Sequence, residues 1–146
     1  MAISQENYFI SSDKSKLDVD VIYNYLSKES YWAKGIPRNV VERSIEHSMC
    51  FGVYSGEMQV GFARIVSDRA TYAYLADVFI LPEHRGKGLS KLLMETITNH
   101  PDLQGLRKWM LATADAHGLY AQYAFTPLAK PERWMEKHNA DVYNHE

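Results

Sequence analysis

The sequence predicts an α/β protein of the α+β type, with a central mixed, mostly antiparallel sheet flanked by helices. Three observations lead there. Ala73 to Leu93 reads as a strand, a glycine turn and a helix in succession. That strand is the last of three apolar runs joined by short turns, the pattern of an antiparallel meander. A further apolar run comes after the helix, and a strand returning through a helix lies parallel to the one it left, by a right-handed crossover.

The bulk properties set limits. A chain of 146 residues makes one domain, 1–146, large enough for a real core. A hydrophobic content of 46 % is globular rather than disordered. A net charge of −2, with the basic residues local rather than spread over a face, argues against a nucleic-acid partner. No apolar run approaches a membrane span, so no membrane partner is expected. Met1 to Glu6 has no cationic stretch followed by an apolar one, hence no signal peptide is expected. The lone Cys50 fits a reducing cytoplasm and reads as a core residue. Six histidines show no zinc spacing, so no metal is expected.

Taken in order, Tyr8-Phe9-Ile10 is a short opening strand. Val21, Ile22, Tyr25 and Leu26 recur at helical spacing, so a first helix runs from Asp18 to about Ser27. Gly35 and Pro37 break it, and a second helix starts at Arg38 with Val41 and Ile45 on one side. Strands follow at Met49 to Tyr54, Gln59 to Ser67 and Tyr72 to Leu81. Leu89, Leu92, Leu93, Thr96 and Ile97 form the stripe of an amphipathic helix ending near Asn99. Arg107 to Thr113 is the returning strand, Ala116 to Tyr123 a short helix, and Phe125 to Leu128 the start of a last strand. The tail after Lys137 is polar and reads as frayed.

The turn between the third strand and its helix is the chemical landmark. Leu75 to Leu81 is apolar except for Asp77, as suits a strand buried on both faces, and Pro82 ends the ladder. Arg85-Gly86-Lys87-Gly88 then opens the helix. The first N–H groups of a helix have no intrahelical partner and sit at the positive end of its dipole. Glycines let backbone approach an anion, and Arg85, Lys87 and Lys91 add charge, so phosphate or pyrophosphate is the natural ligand. The spacing fails as a Walker loop, because the lysine precedes the second glycine, and as a dinucleotide fingerprint, because position 91 is Lys.

What fits is Arg/Gln-x-x-Gly-x-Gly/Ala: Arg85-Gly86-Lys87-Gly88-Leu89-Ser90 matches it except at Ser90. At this point the chain resembles the GNAT (Gcn5-related N-acetyltransferase) superfamily. Ala116 to Phe125 resembles a later motif of that superfamily, Leu119-Tyr120 on a short helix followed by Ala124-Phe125 where Gly-Phe is usual. Thr113 stands where an Asn contacting CoA is frequent.

The resemblance implies the acyl-CoA N-acyltransferase fold, with two diverging parallel strands, and an acetyl-CoA-dependent N-acetyltransferase. Acetyl-CoA would be the cosubstrate and a small-molecule or peptide amine the acceptor. The backbone of Arg85 to Lys91, including Leu89 and Ser90, would take the pyrophosphate. The strand Val78-Phe79-Ile80 would pair with pantetheine through Val78 and Ile80, and Thr113 would contact CoA. Tyr120 would be the general acid for the departing thiolate, its phenol near pKa 10 being about matched to a thiol near 8.5; the alternative is a Tyr packed on the sheet. Asp77 would be the base; the alternatives are a residue that positions the acceptor, or a buried carboxylate bonded to backbone or Arg64. His117 is a further base candidate, against a cap or surface role. Tyr31, Trp32 and Ile36, with Trp134 from the closing segment, would wall the acceptor cleft, suiting an alkylammonium or aromatic amine; otherwise they cover the core or a dimer surface. The acceptor's identity and the oligomeric state, a homodimer included, stay open. So does a second class of function, a catalytically silent CoA-binding sensor or interaction module.

Overall fold

The computed structural model describes residues 7–144; the Met1 to Glu6 stretch read for a signal peptide lies outside them. Five strands, β1 (Tyr8–Ser11), β2 (Met49–Ser55), β3 (Met58–Ser67), β4 (Tyr72–Ile80) and β5 (Lys108–Met110), make one sheet in chain order. Every neighbouring pair is antiparallel except β4 and β5, which are parallel. The helices are α1 (Val19–Asn24), α2 (Arg38–Glu46), α3 (Leu89–Thr98) and α4 (His117–Ala121). The expected mixed, mostly antiparallel sheet flanked by helices is therefore what forms.

Alternation along the central strands explains the layering. Cys50 and Phe62 face the layer of α1 and α2, where they meet Ile22, Leu26 and Val41. Phe51, Val53 and Ile65 face the other side, where they meet Leu89, Leu93, Met94 and Ile97 of α3. Successive strand residues point to opposite faces, so two helical layers need strands apolar at nearly every position. β2 is such a strand, buried from Met49 through Tyr54. Cys50 is a core residue, 2 % exposed.

Asp18 caps α1, its side chain accepting from Asp20 N and Val21 N. Beyond Asn24 the helix widens, and Ser30 N–H donates to Tyr25 O, five residues back, at 2.9 Å. The hydroxyls of Ser27 and Ser30 donate to carbonyls four residues back, Tyr23 O and Leu26 O, both at 2.7 Å. Such back-bonding bends a helix and releases backbone at its end. Ser30 is 1 % exposed and also accepts from Ala33 N–H, so it seats the loop that carries Tyr31 and Trp32.

Four expectations need correction. No strand forms over Phe125 to Leu128. Ala124 takes a left-handed turn, φ 71°, and Pro127 has no N–H for a ladder. Phe125 is instead pinned between the rings of Trp109 (6.4 Å) and Tyr120 (6.0 Å). β5 covers Lys108–Met110 rather than Arg107 to Thr113, because its pairing with β4 ends at Met110 opposite Tyr74. α4 is a turn shorter than Ala116 to Tyr123. The tail past Lys137 is not simply frayed, since Tyr143 packs against the cluster under α1 and α2.

Candidate active site

The sheet makes the cleft by failing to pair. β4 and β5 match only over Tyr72 to Tyr74 opposite Lys108 to Met110, and β4 continues six residues to Ile80 without β5 beside it. The same stretch of β4 is bulged. Phe62 faces Phe79 and Arg64 faces Ala76, so β4 uses three steps where β3 uses two. The extra residue falls at Asp77–Val78, and Asp77 has φ 55°. A carboxylate-bearing residue tolerates left-handed backbone better than its apolar neighbours would. Gly61 lets β3 approach here, since a Cβ on it would lie 2.7 Å from Ile80 Cδ1 and 3.0 Å from Phe79 O.

The edge of β4 left without β5 carries peptide groups. Leu81 N–H donates to Val60 O on the β3 side at 2.8 Å. By strand alternation the polar groups of Ile80 point the other way, away from β3. The Ile80 carbonyl accepts from Arg85 Nε at 2.9 Å. Arg85 Nη2 also donates to Tyr25 OH at 3.0 Å, and the Tyr25 ring stacks on Phe79 at 4.1 Å. Arg85 thus braces the turn from within. A second brace comes from β1, where Tyr8 OH and His84 Nδ1 share a hydrogen bond of 2.8 Å.

The turn itself follows from its glycines. Gly86 and Gly88 have φ 78° and 77°, a region that costs an L side chain energy. Gly88 is the residue before α3, and no side chain among the described residues caps that helix. The N–H groups of Leu89, Ser90 and Lys91 in its first turn therefore open at the end of β4. Lys91 is exposed there, and its carbonyl takes a hydrogen bond from Tyr123 OH at 3.1 Å, tying α4 to α3.

Between the diverging strands lies a cleft of about 730 Å³. It brings together Asp77, Val78, Thr113 and Tyr120, and also Tyr31, Trp32 and Ile36. The phosphate-type turn sits apart, at the C-terminal end of β4. Asp77 is doubly held. Arg64 Nε donates to Oδ2 and Trp32 Nε1 to Oδ1, each at 2.8 Å. Arg64 Nη1 in turn donates to Ser48 Oγ at 3.1 Å. Trp32 is therefore fixed by the bulge, and Tyr31 closes the far side: its hydroxyl accepts from Ala114 N–H at 3.0 Å, joining the α1–α2 loop to the β5–α4 loop.

Tyr120, on α4, is 8 % exposed and lines the cleft. Burial, with Tyr31 and Asp115 adding to it, pushes its phenol up to about 12. That undoes the close match to a thiol that an ordinary tyrosine offers. Full proton transfer to a thiolate becomes uphill, while hydrogen-bond donation to it stays available. Thr113 lines the cleft, but its Oγ1 accepts from Ala116 N–H at 3.0 Å and so starts α4. His117 is exposed on α4 and is not among the residues lining the cleft. Trp134 does not join the wall either; it sits 4.5 Å from Lys108 Nζ, on the β5 side.

Sequence reasoning missed the tail. From Trp134 beside β5 the chain runs along the cleft, contributing Glu136 and His138, and ends with Tyr143 against the α1–α2 layer. No periodicity marked this segment; Trp134 and Tyr143 were its only apolar anchors besides Met135 and Val142. Tyr74 and Arg64 also line the cleft, from β4 and β3. No helix among the described residues is long and apolar enough to cross a membrane.

Comparison with known proteins agrees with this geometry. A crystal structure from Xanthomonas campestris pv. campestris, titled a "putative acetyltransferase belonging to the GNAT family", is 53 % identical and superposes with a TM-score of 0.93, over 94 % of this chain and 97 % of that one. A "putative acetyltransferase" of Gibberella zeae is 34 % identical, covering 80 % of this chain and 77 % of its own. A GNAT family acetyltransferase from Elizabethkingia anophelis, solved with acetyl-CoA bound, shares the fold at 10 % identity, with a TM-score of 0.59 over 81 % of this chain and 75 % of that one. The model of the acetyltransferase (GNAT) family matches residues 17–125. The chain belongs to the acetyltransferase (GNAT) family, whose members are acetyl-CoA-dependent acetyltransferases.

Proposed function

We propose that the protein moves the acetyl group of acetyl-CoA to a primary amine of a small molecule or peptide, by direct attack within a ternary complex. One observation carries this reading. The end of β4 that lacks β5 beside it leads from the cleft holding Asp77 and Tyr120 directly to the glycine turn and the start of α3. A molecule with a thioester at one end and a pyrophosphate at the other spans that path.

In this account the turn from Arg85 to Lys91 takes the pyrophosphate through its N–H groups, and Gly86 and Gly88 keep Cβ atoms out of the way. The outward peptide groups of Val78 and Ile80 pair with the pantetheine amides as an added strand would. The Ile80 carbonyl is already bonded to Arg85, so its N–H is the group that remains. The acceptor enters from the side of Tyr31, Trp32 and Ile36. Its neutral nitrogen attacks the thioester carbon, a C–N bond forms, the C–S bond breaks, and the sulfur keeps the electron pair. Tyr120 donates a hydrogen bond to that sulfur.

Asp77 fits positioning better than proton removal. Its carboxylate faces the Arg64 guanidinium, and each of its two oxygens already accepts a hydrogen bond, from Arg64 Nε and from Trp32 Nε1. It holds Trp32 in place and offers a remaining lone pair to orient the amine, whose proton leaves through the open cleft. The test is a screen of primary amines for the acetyl mass increment, followed by pH profiles of the wild type and Asp77→Asn. A positioning role predicts kcat lowered roughly tenfold to hundredfold with the pH limbs unmoved. Loss of one limb would make Asp77 the base. Binding of acetyl-CoA with no product from any amine would leave a CoA-binding module.

A further inference from the structure

The cleft has an unbalanced charge. Arg64 is the one Lys or Arg among the described residues that line it, and it is committed to Asp77 and Ser48. Asp115, just before α4, and Glu136, on the tail, line the same space. Neither carboxylate belongs to an ion pair among the described residues. Tyr31, Trp32, Tyr74 and Tyr143 supply aromatic faces around them. Tyr120, nine-tenths buried, turns into this cleft with a hydroxyl that has no hydrogen-bond partner among the described residues, and Asp115 is close enough to affect its proton.

A group held between aromatic faces and surplus carboxylates is a cation. The amine that reacts must be neutral, so the cation is a second one. We infer that the acceptor is an amine carrying a second positive charge, a diamine in the simplest case, whose far ammonium is held by Glu136 and Asp115. This rests on the amine-acetylation reading above. An acceptor with a carboxylate or phosphate at that end would meet like charge, with Arg64 committed to Asp77 and only the imidazole of His138 nearby to set against the two carboxylates. Glu136 and Asp115 are both exposed, so the attraction is modest and salt-sensitive.

Three four-carbon acceptors separate the cases: 1,4-diaminobutane, n-butylamine and 4-aminobutyrate. Release of CoA thiol from acetyl-CoA is followed at low and at high salt. The inference predicts kcat/KM for the diamine roughly fivefold to tenfold above butylamine at low salt, with aminobutyrate poorest. Near 1 M salt, where the Debye length falls to about 3 Å, the preference shrinks. Glu136→Gln and Asp115→Asn each narrow the diamine-to-butylamine ratio by roughly two- to threefold, a ratio that general damage to the enzyme leaves unmoved. Equal use of diamine and butylamine, or a preference for aminobutyrate, overturns the inference while leaving acetyl transfer standing. No transfer to any of the three, with acetyl-CoA bound, overturns the inference along with the reading beneath it.

Discussion

The two halves of the cleft are built by different means. On the cofactor side one continuous stretch, β4 to α3, supplies the binding geometry: Arg85 reaches Ile80 O five residues back and Gly86 and Gly88 take positive φ, while Tyr25 and Tyr8 brace the turn from elsewhere in the chain. On the acceptor side the walls come from four places far apart in sequence. Tyr31 meets Ala114 across 83 positions, Trp32 meets Asp77 across 45, and Glu136 and His138 arrive on the tail. A cofactor shared by many enzymes suits a compact, continuous element; a specificity wall assembled from loops can change piece by piece.

This division can be broken from either end. The largest effect belongs where the halves meet, at Tyr120. Tyr120→Phe keeps the ring in its place beside Phe125 and removes the donor, so kcat should fall roughly tenfold to hundredfold with acetyl-CoA affinity nearly unchanged. The pH dependence is part of the same test. The folded phenol at about 12 lies above its unfolded value near 10, so the neutral form prevails throughout the neutral range. Stability from burying it is present below about pH 10 and is lost as pH rises toward 12. A basic limb in kcat below about pH 10 therefore does not come from Tyr120.

Next comes the cofactor side alone. Arg85→Ala removes the bonds to Ile80 O and Tyr25 OH and loosens the turn without removing its N–H groups. The Kd for acetyl-CoA should rise roughly fivefold, while the KM for the amine stays within about twofold. The smallest effect is the mirror image. Tyr31→Phe deprives Ala114 N–H of its acceptor, and because the site is exposed, water replaces it. The amine KM should rise roughly two- to threefold with the acetyl-CoA Kd unmoved. If either variant shifts both constants equally, the halves are not independent.

The sequence was informative along the same line. The strand, the two glycines and the stripe of α3 lie within twenty-six residues, Tyr72 to Ile97, so period and turn chemistry suffice to place them. Helices on both sides of the sheet were also readable, because Leu75 to Leu81, apolar except for Asp77, suits a strand buried on both faces. The bulge was not. A single Asp77 in an apolar run signals a special position, but only the pairing of β3 with β4 reveals that an extra residue sits there. The predicted last strand failed because a left-handed Ala124 leaves no mark in the sequence, although Pro127 was a warning. Arg64 could be named as a partner for Asp77 because both lie on neighbouring strands of a meander. Glu136 could not, since nothing local ties the tail to the cleft.

Cofactor binding by the glycine turn at the start of α3 underlies everything proposed for the site. Its most direct test is calorimetric titration of acetyl-CoA into the wild type and Gly88→Glu, with circular dichroism to establish that the variant is folded. Saturable binding by the wild type and none by the variant are expected, because the new side chain brings a negative charge and a Cβ to a backbone at φ 77°. Equal binding by a folded variant, or no binding by the wild type, would contradict it.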